Sequence, residues 1–355
     1  VRNGIAAELK DAGSRISIVV LTHNRATRLR ETLCRLRALP EGPRVIVADN
    51  ASTDDTVPTI GLGFPEVRVV QCGNNTGAAG RNQAVACVET EYVAFCDDDT
   101  WWEPGSLARA VRLLDASPRV AVLNARIVVG DARETDPTCV VMQHSPLESA
   151  GLPGPALVGY MAGASVFRTA LFREAGGYDR RLFIGGEEEL LALDVLGQGH
   201  AIAYCDSLTV AHHPSAARDS ALRRRLLARN AAWIAWLRLP VSVAIQRTFS
   251  ALLVFGREGT LLDDGKTMLR GIGWAIRERK CASVTSRTVD VTSSETARAP
   301  TRFDAVRRAH APGAIARAAL PGVSRAMTVR CRRAMRVHDP SRRESLRSIY
   351  ARERA

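Results

Sequence analysis

Between Arg15 and Val129, short β-branched runs alternate with longer stretches of helical periodicity, and this alternation restricts the fold more than any other feature. The runs ISIVVLT (16–22), RVIVAD (44–49), VRVVQC (67–72), YVAFCD (92–97) and VAVLNARIVV (120–129) read as strands. Helical patterns fall between them at about 26–38, 54–61, 78–89 and 104–116, the last two opened by turn signals near Gly77 and Pro104. Such βαβα order predicts an α/β fold with a mostly parallel central sheet flanked by helices on both faces. In that architecture ligands gather at the carboxyl ends of the strands.

The next stretch is less regular. A Pro/Gly-rich loop spans 144–159, a strand is expected at 162–167 and again at 201–205, and helices are expected near 168–176 and at 187–197. No linker separates this lobe from the first, so 15–240 reads as one domain after an N-terminal extension at 1–14. Amphipathic helices are expected at 217–238 and 241–279, with Trp233, Trp236 and Trp274 on apolar faces. From 281 to 355 the composition turns to Ser, Thr, Ala and Arg with few large apolar residues, the pattern of a basic, disordered tail holding at most one short helix.

The formal charge of +12 belongs mostly to that tail. With almost no aromatics among the arginines to stack bases, no nucleic acid is expected as a partner. Eight scattered cysteines without a CxxC pair read as reduced, buried side chains of a cytoplasmic protein. The opening VRNGIAAELKDAGSR lacks the apolar segment of a secretory leader. The most apolar stretch, AAWIAWLRLPVSVAIQRTFSALLVF, is interrupted by Arg238, Pro240, Gln246 and Arg247, which argues against a span and leaves peripheral contact with the inner face of a membrane open.

Four polar clusters follow four successive strands: LTHNR, ADNASTD, GNNTGAAGRN and CDDDTWW. Any one of them is ordinary turn and cap chemistry, but four in succession at one sheet edge point to a ligand site. Asp49, followed by Asn50, offers a carboxylate able to accept from a pyrimidine base. Gly77 and Gly80 permit close approach of backbone or ligand, and Arg81 opens a helix where anions are favoured. Their spacing is not the dinucleotide fingerprint. Asp97, Asp98 and Asp99 repel one another unless a cation intervenes, and all-oxygen ligation selects Mg²⁺ or Mn²⁺ held together with substrate phosphates. On an extended segment Asp97 and Asp99 would point one way and Asp98 the other. Trp101 and Trp102 offer rings of the kind on which an acceptor sugar would stack, and core packing is equally open to one of them.

The motifs ISIVVLTHNR, VIVADNASTD, NNTGAAGRNQAV and YVAFCDDDTWWEPGSL, with GGYDRRLFIGGEEELLALDVLGQGHAIAY further on, resemble in order and spacing those of family-2 glycosyltransferases, inverting enzymes with the GT-A fold. The resemblance covers about 15 to 235. It implies a UDP-, dTDP- or GDP-linked sugar donor, a glycan, lipid-linked or small-molecule acceptor, and a divalent metal. It also divides the domain into a nucleotide-sugar-binding half, 15–129, and an acceptor-binding half, 130–240. By position, Thr22, Asn24 and Arg25 would line the nucleotide pocket, Asp49 and Asn50 would meet the base, and Asn75, Gly77, Gly80 and Arg81 would lie near ribose and diphosphate. Asp97 or Asp98 would lie by the ribose. Asp99 would bind the metal, with Asp97 and His212 as further candidates. Many members have Gly-Glu-Asp at the acceptor side; here Gly186, Glu187 and Glu188 stand there, so the base falls to Glu188 or Glu187.

Two other functions are compatible with parts of this pattern. A nucleotidyltransferase making nucleotide sugars would share a metal-bound Asp, but LTHNRATRLR lacks the Gly-rich phosphate loop expected after its first strand. A non-catalytic polyanion-binding protein would rely on the basic tail alone.

Overall fold

The computed structural model describes residues 2–214 and 220–280, and the expected tail with Cys281 and Cys331 lies outside them. In chain order the first elements are α1 (Arg2–Arg15), β1 (Ile16–Thr22), α2 (Ala26–Arg37), β2 (Arg44–Asp49), α3 (Thr56–Gly63), β3 (Arg68–Gln71), a 3-10 turn at Gly77–Ala79 and α4 (Gly80–Ala86). There follow β4 (Tyr92–Asp97), β5 (Thr100–Trp102), α5 (Ser106–Ala116), β6 (Val120–Val129), β7 (Glu134–Thr135), α6 (Pro137–Gln143) and β8 (Ala156–Leu157). The remainder are a 3-10 turn at Ala162–Ala164, β9 (Ser165–Arg168), α7 (Thr169–Glu174), α8 (Glu187–Gly197), β10 (Ala201–His212), α9 (Ser220–Arg238), α10 (Val241–Arg257) and α11 (Leu261–Arg277).

The strands form one sheet in the order β3-β2-β1-β4-β9-β6-β10-β5, with β7 added beside β6 and β8 beside β10. The long ladders, β1 with β2 and β4, β2 with β3, and β6 with β10, are parallel, as the βαβα pattern predicts. The antiparallel β9 is inserted between β4 and β6 and joins the two lobes into a single sheet. Buried on both faces, β1 and β4 are nearly continuous in apolar side chains rather than alternating. Phe95 on β4 packs against Phe167, Phe172 and Tyr178 with ring centroids 5.2–6.1 Å apart. Each such fully buried side chain contributes roughly 1.5–3 kcal/mol of burial free energy. The helices bury one stripe each: Leu29, Thr32, Leu33 and Leu36 on α2, and Leu107, Ala110, Val111 and Leu114 on α5.

The N-terminal extension expected at 1–14 is helical from Arg2, and Arg15 at the helix end bridges Glu91 and Asp115 at 2.8 and 2.7 Å. The helices expected over 241–279 are α10 and α11, separated at Gly259, whose φ of +71° is cheap only for glycine. The strand expected at 201–205 continues to His212 past a register shift between Cys205 and Thr209. The six described cysteines are free, as expected, but Cys34 is exposed rather than buried. No helix among the described residues is long and apolar enough to cross a membrane.

Candidate active site

The parallel register aligns Thr22 with Asp49, Leu21 with Asp97 and Asp49 with Gln71, so all four polar clusters leave neighbouring strands at the same edge. Much of their polarity holds the loops to one another. Asn24, at φ +53°, accepts the Thr53 N–H at 2.7 Å and donates its own to Ser52 Oγ at 2.9 Å. The Asn50 amide donates to Asn75 Oδ1 and to the Gly77 carbonyl, both at 2.9 Å, and its oxygen accepts the Thr76 N–H at 3.0 Å. Asp49 is buried and accepts the Ser52 N–H on both oxygens at 3.3 Å.

The two glycines expected to admit backbone or ligand admit protein. A Cβ on Gly77, at φ +61°, would stand 1.8 Å from the Phe183 carbonyl, which accepts the Ala78 N–H at 2.7 Å. On Gly80 it would stand 2.9 Å from Asn50 Oδ1. The third cluster is thereby tied to the second and to the loop before α8.

The aspartate triplet is not extended: residues 98 and 99 form a turn between β4 and β5, and the alternating orientation expected from a strand is replaced. Asp97 turns to Arg81, with which it forms an ion pair, and Gly163 lies so close that a Cβ there would be 2.6 Å from the Asp97 carboxylate. Asp98 accepts Thr22 Oγ1 at 3.0 Å, and Arg25 stands 3.8 Å from both Asp98 and Asp99. Burial, reinforced by the charges of Asp99 and Asp97 and opposed by Arg25, pushes the Asp98 carboxyl up to about 7. The antiparallel pairing of His212 with Thr100 brings His212 Nε2 to 3.7 Å from Asp99 Oδ1. No three His, Cys, Asp or Glu side chains are gathered as a metal site among the described residues. Asp99 and His212 stand together, whereas Asp97 is turned away from them.

The Glu-rich helix supplies the other side. Gly185 and Gly186, at φ +87° and +94°, turn the chain into α8, and the three glutamates fan out around its first turn. Glu189 pairs with Arg247 at 2.8 Å. Glu187 is buried with Oε2 lacking a protein partner, and burial together with the Glu188 charge pushes its carboxyl up to about 8. Glu188 keeps some open surface; burial, aided by the Asp97 charge, raises its carboxyl, while Arg81 and Arg223 act in the opposite sense. Arg81, only 4% exposed, is charge-coupled to both glutamates as well as bonded to Asp97, and stands 5.9 Å over the Tyr178 ring. It therefore lies between the triplet and the glutamates instead of opening an anion cradle.

The tryptophans are corrected most clearly. Trp102 is 1% exposed and donates Nε1–H to the Phe95 carbonyl at 3.2 Å. Trp101 is stacked on His213 at 4.8 Å, with Arg35 5.4 Å from its ring. Neither offers a free face to a sugar, because both belong to β5, a strand the sequence pattern did not indicate.

Tyr160, Gly163, Tyr178, Phe183 and Asn230 join the site without having been expected there. Tyr160 and Tyr178 share a hydroxyl contact of 3.2 Å beneath the glutamates. Asn230 on α9 is fully buried and points its amide at the carbonyls of Leu182, Ile184 and Gly185, at 2.8, 3.2 and 2.6 Å. These carbonyls belong to the turn that sets Glu187 and Glu188, and Phe183 within it sits at φ +64°. Asn230→Asp keeps the shape and replaces the donor by an acceptor. It is expected to lower the unfolding free energy by roughly 1–3 kcal/mol, measured by urea denaturation, and an unchanged midpoint would show that the turn holds without it.

Residues 17–174 match the family model described as Glycosyl transferase family 2, which identifies that segment as a family-2 glycosyltransferase domain. It is 29% identical over 232 residues to the pre-mycofactocin glycosyltransferase of Mycobacterium tuberculosis, covering 62% of this chain and 47% of that protein. It is 26% identical over 247 residues to the N-acetylglucosaminyl-diphospho-decaprenol L-rhamnosyltransferase of the same organism, covering 58% and 79%. The chain thus spans about half the length of the first of these relatives. The fold is shared with the mannosyltransferase PcManGT from Pyrobaculum calidifontis (TM-score 0.50, 18% identity, 75% of this chain and 72% of that one). It is shared likewise with residues 1–349 of S. aureus TarS (0.51, 20%, 75% and 82%). These likenesses establish the GT-A architecture.

Proposed function

We propose that residues 15–240 transfer a sugar from a nucleotide-diphosphate donor to a hydroxyl acceptor with inversion, 15–129 holding the donor and 130–240 the acceptor, while 241–280 form an appended helical layer. The observation that carries this reading is the meeting, around buried Arg81, of the triplet at the strand ends and the paired glutamates of α8. Asp49 and the Asn50–Asn75 tie form the floor on which a UDP, dTDP or GDP moiety would lie. Glu188 takes the proton from the acceptor hydroxyl as that oxygen attacks the anomeric carbon from the face opposite the diphosphate, and Glu187 is the other candidate.

A divalent ion fits the donor set. Asp99 Oδ1 and His212 Nε2, 3.7 Å apart, are too distant for a hydrogen bond yet near enough to share an ion, and carboxylate with imidazole suits Mn²⁺ or Mg²⁺. Asp99 and His212 would hold it, and the bound ion supplies neutralisation of the leaving diphosphate. PcManGT is described in complex with GDP-Man and Mn²⁺, in keeping with this reading. The acceptor is a glycan, a lipid-linked saccharide or a small molecule.

A thermal-shift screen against nucleoside diphosphates, with and without Mn²⁺, tests the donor side. Binding at a hundredfold excess over Kd adds about 2.7 kcal/mol, which raises Tm by on the order of 5–10 °C for a domain of this size. The rise is expected for one nucleotide class and only with metal. If no nucleoside diphosphate moves Tm, the reading fails.

A further inference from the structure

The layer α9–α11 has its own core, in which Trp233 of α9, Ala251 and Phe255 of α10 and Met268, Ile272 and Ala275 of α11 are buried together. Each of the last two helices then carries a second apolar stripe that this core leaves uncovered. On α10, Ile245, Phe249 and Leu253 repeat at four-residue intervals and are 45, 64 and 64% exposed. On α11, Leu262, Leu269 and Ile276 repeat at seven-residue intervals and are 75, 60 and 51% exposed. Both spacings keep side chains on one face of a helix, so each set lines a single face, with Lys266 standing between Leu262 and Leu269 on α11.

The charges beside the stripes select the partner. Lys266, Arg270 and Arg277 are exposed on the flank of the α11 stripe, with one exposed acid, Asp263, on the same flank at the first turn. The sequence of α10 contains no acidic residue. Residues 281–355, which continue directly beyond α11, hold sixteen arginines against six acidic residues. A helix with an exposed apolar stripe bordered by cations is built to lie in a lipid interface, its apolar side chains among acyl chains and its cations on anionic headgroups.

The geometry points to the exposed faces of α10 and α11 as a docking surface for an anionic lipid surface, lying on the bilayer without crossing it. The assignment is independent of the sugar-transfer reading, since binding alone tests it. The full chain is sedimented with vesicles of phosphatidylcholine alone and of phosphatidylcholine mixed with phosphatidylglycerol. It is expected to bind the mixed vesicles and to leave the neutral ones. Phe249→Ser with Leu253→Ser, and Leu262→Ser with Leu269→Ser, are each expected to weaken binding at least about tenfold, with unfolding midpoints unchanged because the positions are exposed. Lys266→Glu with Arg270→Glu is expected to weaken it similarly and to remove part of its salt dependence.

Absence of binding, equal binding to both vesicle types, or apolar variants that bind as well as the unaltered chain would overturn the assignment; the last outcome would give the binding to the arginine-rich segment alone. Light scattering supplies one more outcome. A dimer that the apolar variants convert to monomer, with no vesicle binding, would make this face a contact between copies and overturn the lipid assignment.

Discussion

Glu188→Gln is expected to lower kcat by about 10²–10⁴-fold, the range in which general bases contribute, while the Kd for the donor nucleotide changes by less than about twofold. The substitution keeps the volume and removes the proton acceptor, and the neighbouring Arg81–Asp97 pair remains in place. The pH profile sharpens the test. Burial holds Glu187 up to about 8 and raises Glu188 as well, so the base becomes available only as pH rises, and the rate should climb through this range. Stability runs the other way. A carboxyl raised in the folded state contributes stability that is present below its ordinary value of 4.5 and is lost as pH rises through about 8. Activity should therefore increase over the window in which stability declines, and Glu187→Gln should flatten the decline. Full turnover in Glu188→Gln with loss in Glu187→Gln would move the base to Glu187.

Asp99→Ala is expected to abolish the Mn²⁺-dependent part of nucleoside diphosphate binding, a loss of at least about 100-fold or ~2.8 kcal/mol. Removing this carboxylate takes away the partner of His212 and relieves the like charge that, with burial, pushes Asp98 up. The metal-free protein should consequently melt no lower than the unaltered chain. Titration calorimetry with Mn²⁺ and nucleotide reads the first expectation and thermal unfolding the second. Unchanged metal-dependent affinity would refute the assignment of Asp99, and a lower Tm would show that Asp99 serves the fold.

The strands around the site were legible because period and composition encode burial locally: ISIVVLT and YVAFC can satisfy their apolar side chains only between two layers. The clusters at their ends were legible for the same reason, since polar residues after a buried strand must face the sheet edge. Their partners were not. Arg81 looked like an anion ligand on a helix opening, and only the packing of α4 against β1 and β2 shows it buried on Asp97. Gly77 and Gly80 signalled close approach, while the identity of the approaching atoms, Phe183 O and Asn50 Oδ1, depends on loops distant in sequence. Trp101 and Trp102 were misplaced because β5 exists only through its pairing with β10 more than a hundred residues later.

The amino-acid sequence by itself determined the α/β alternation, the strand-end location of the polar clusters and the carboxylates available for chemistry, all of which follow from the chain's own periodicity and residue types. Tertiary structure alone decided how those carboxylates are divided: Asp97 to Arg81, Asp98 and Asp99 toward Arg25, Asp99 beside His212, and Glu187 and Glu188 under the clamp of Asn230. The reason is physical. A buried charge is placed by the counter-charge and hydrogen bonds that offset its desolvation, and here those partners come from the β1–α2 connection, β10, α4 and α9, whose register against the triplet no local pattern contains.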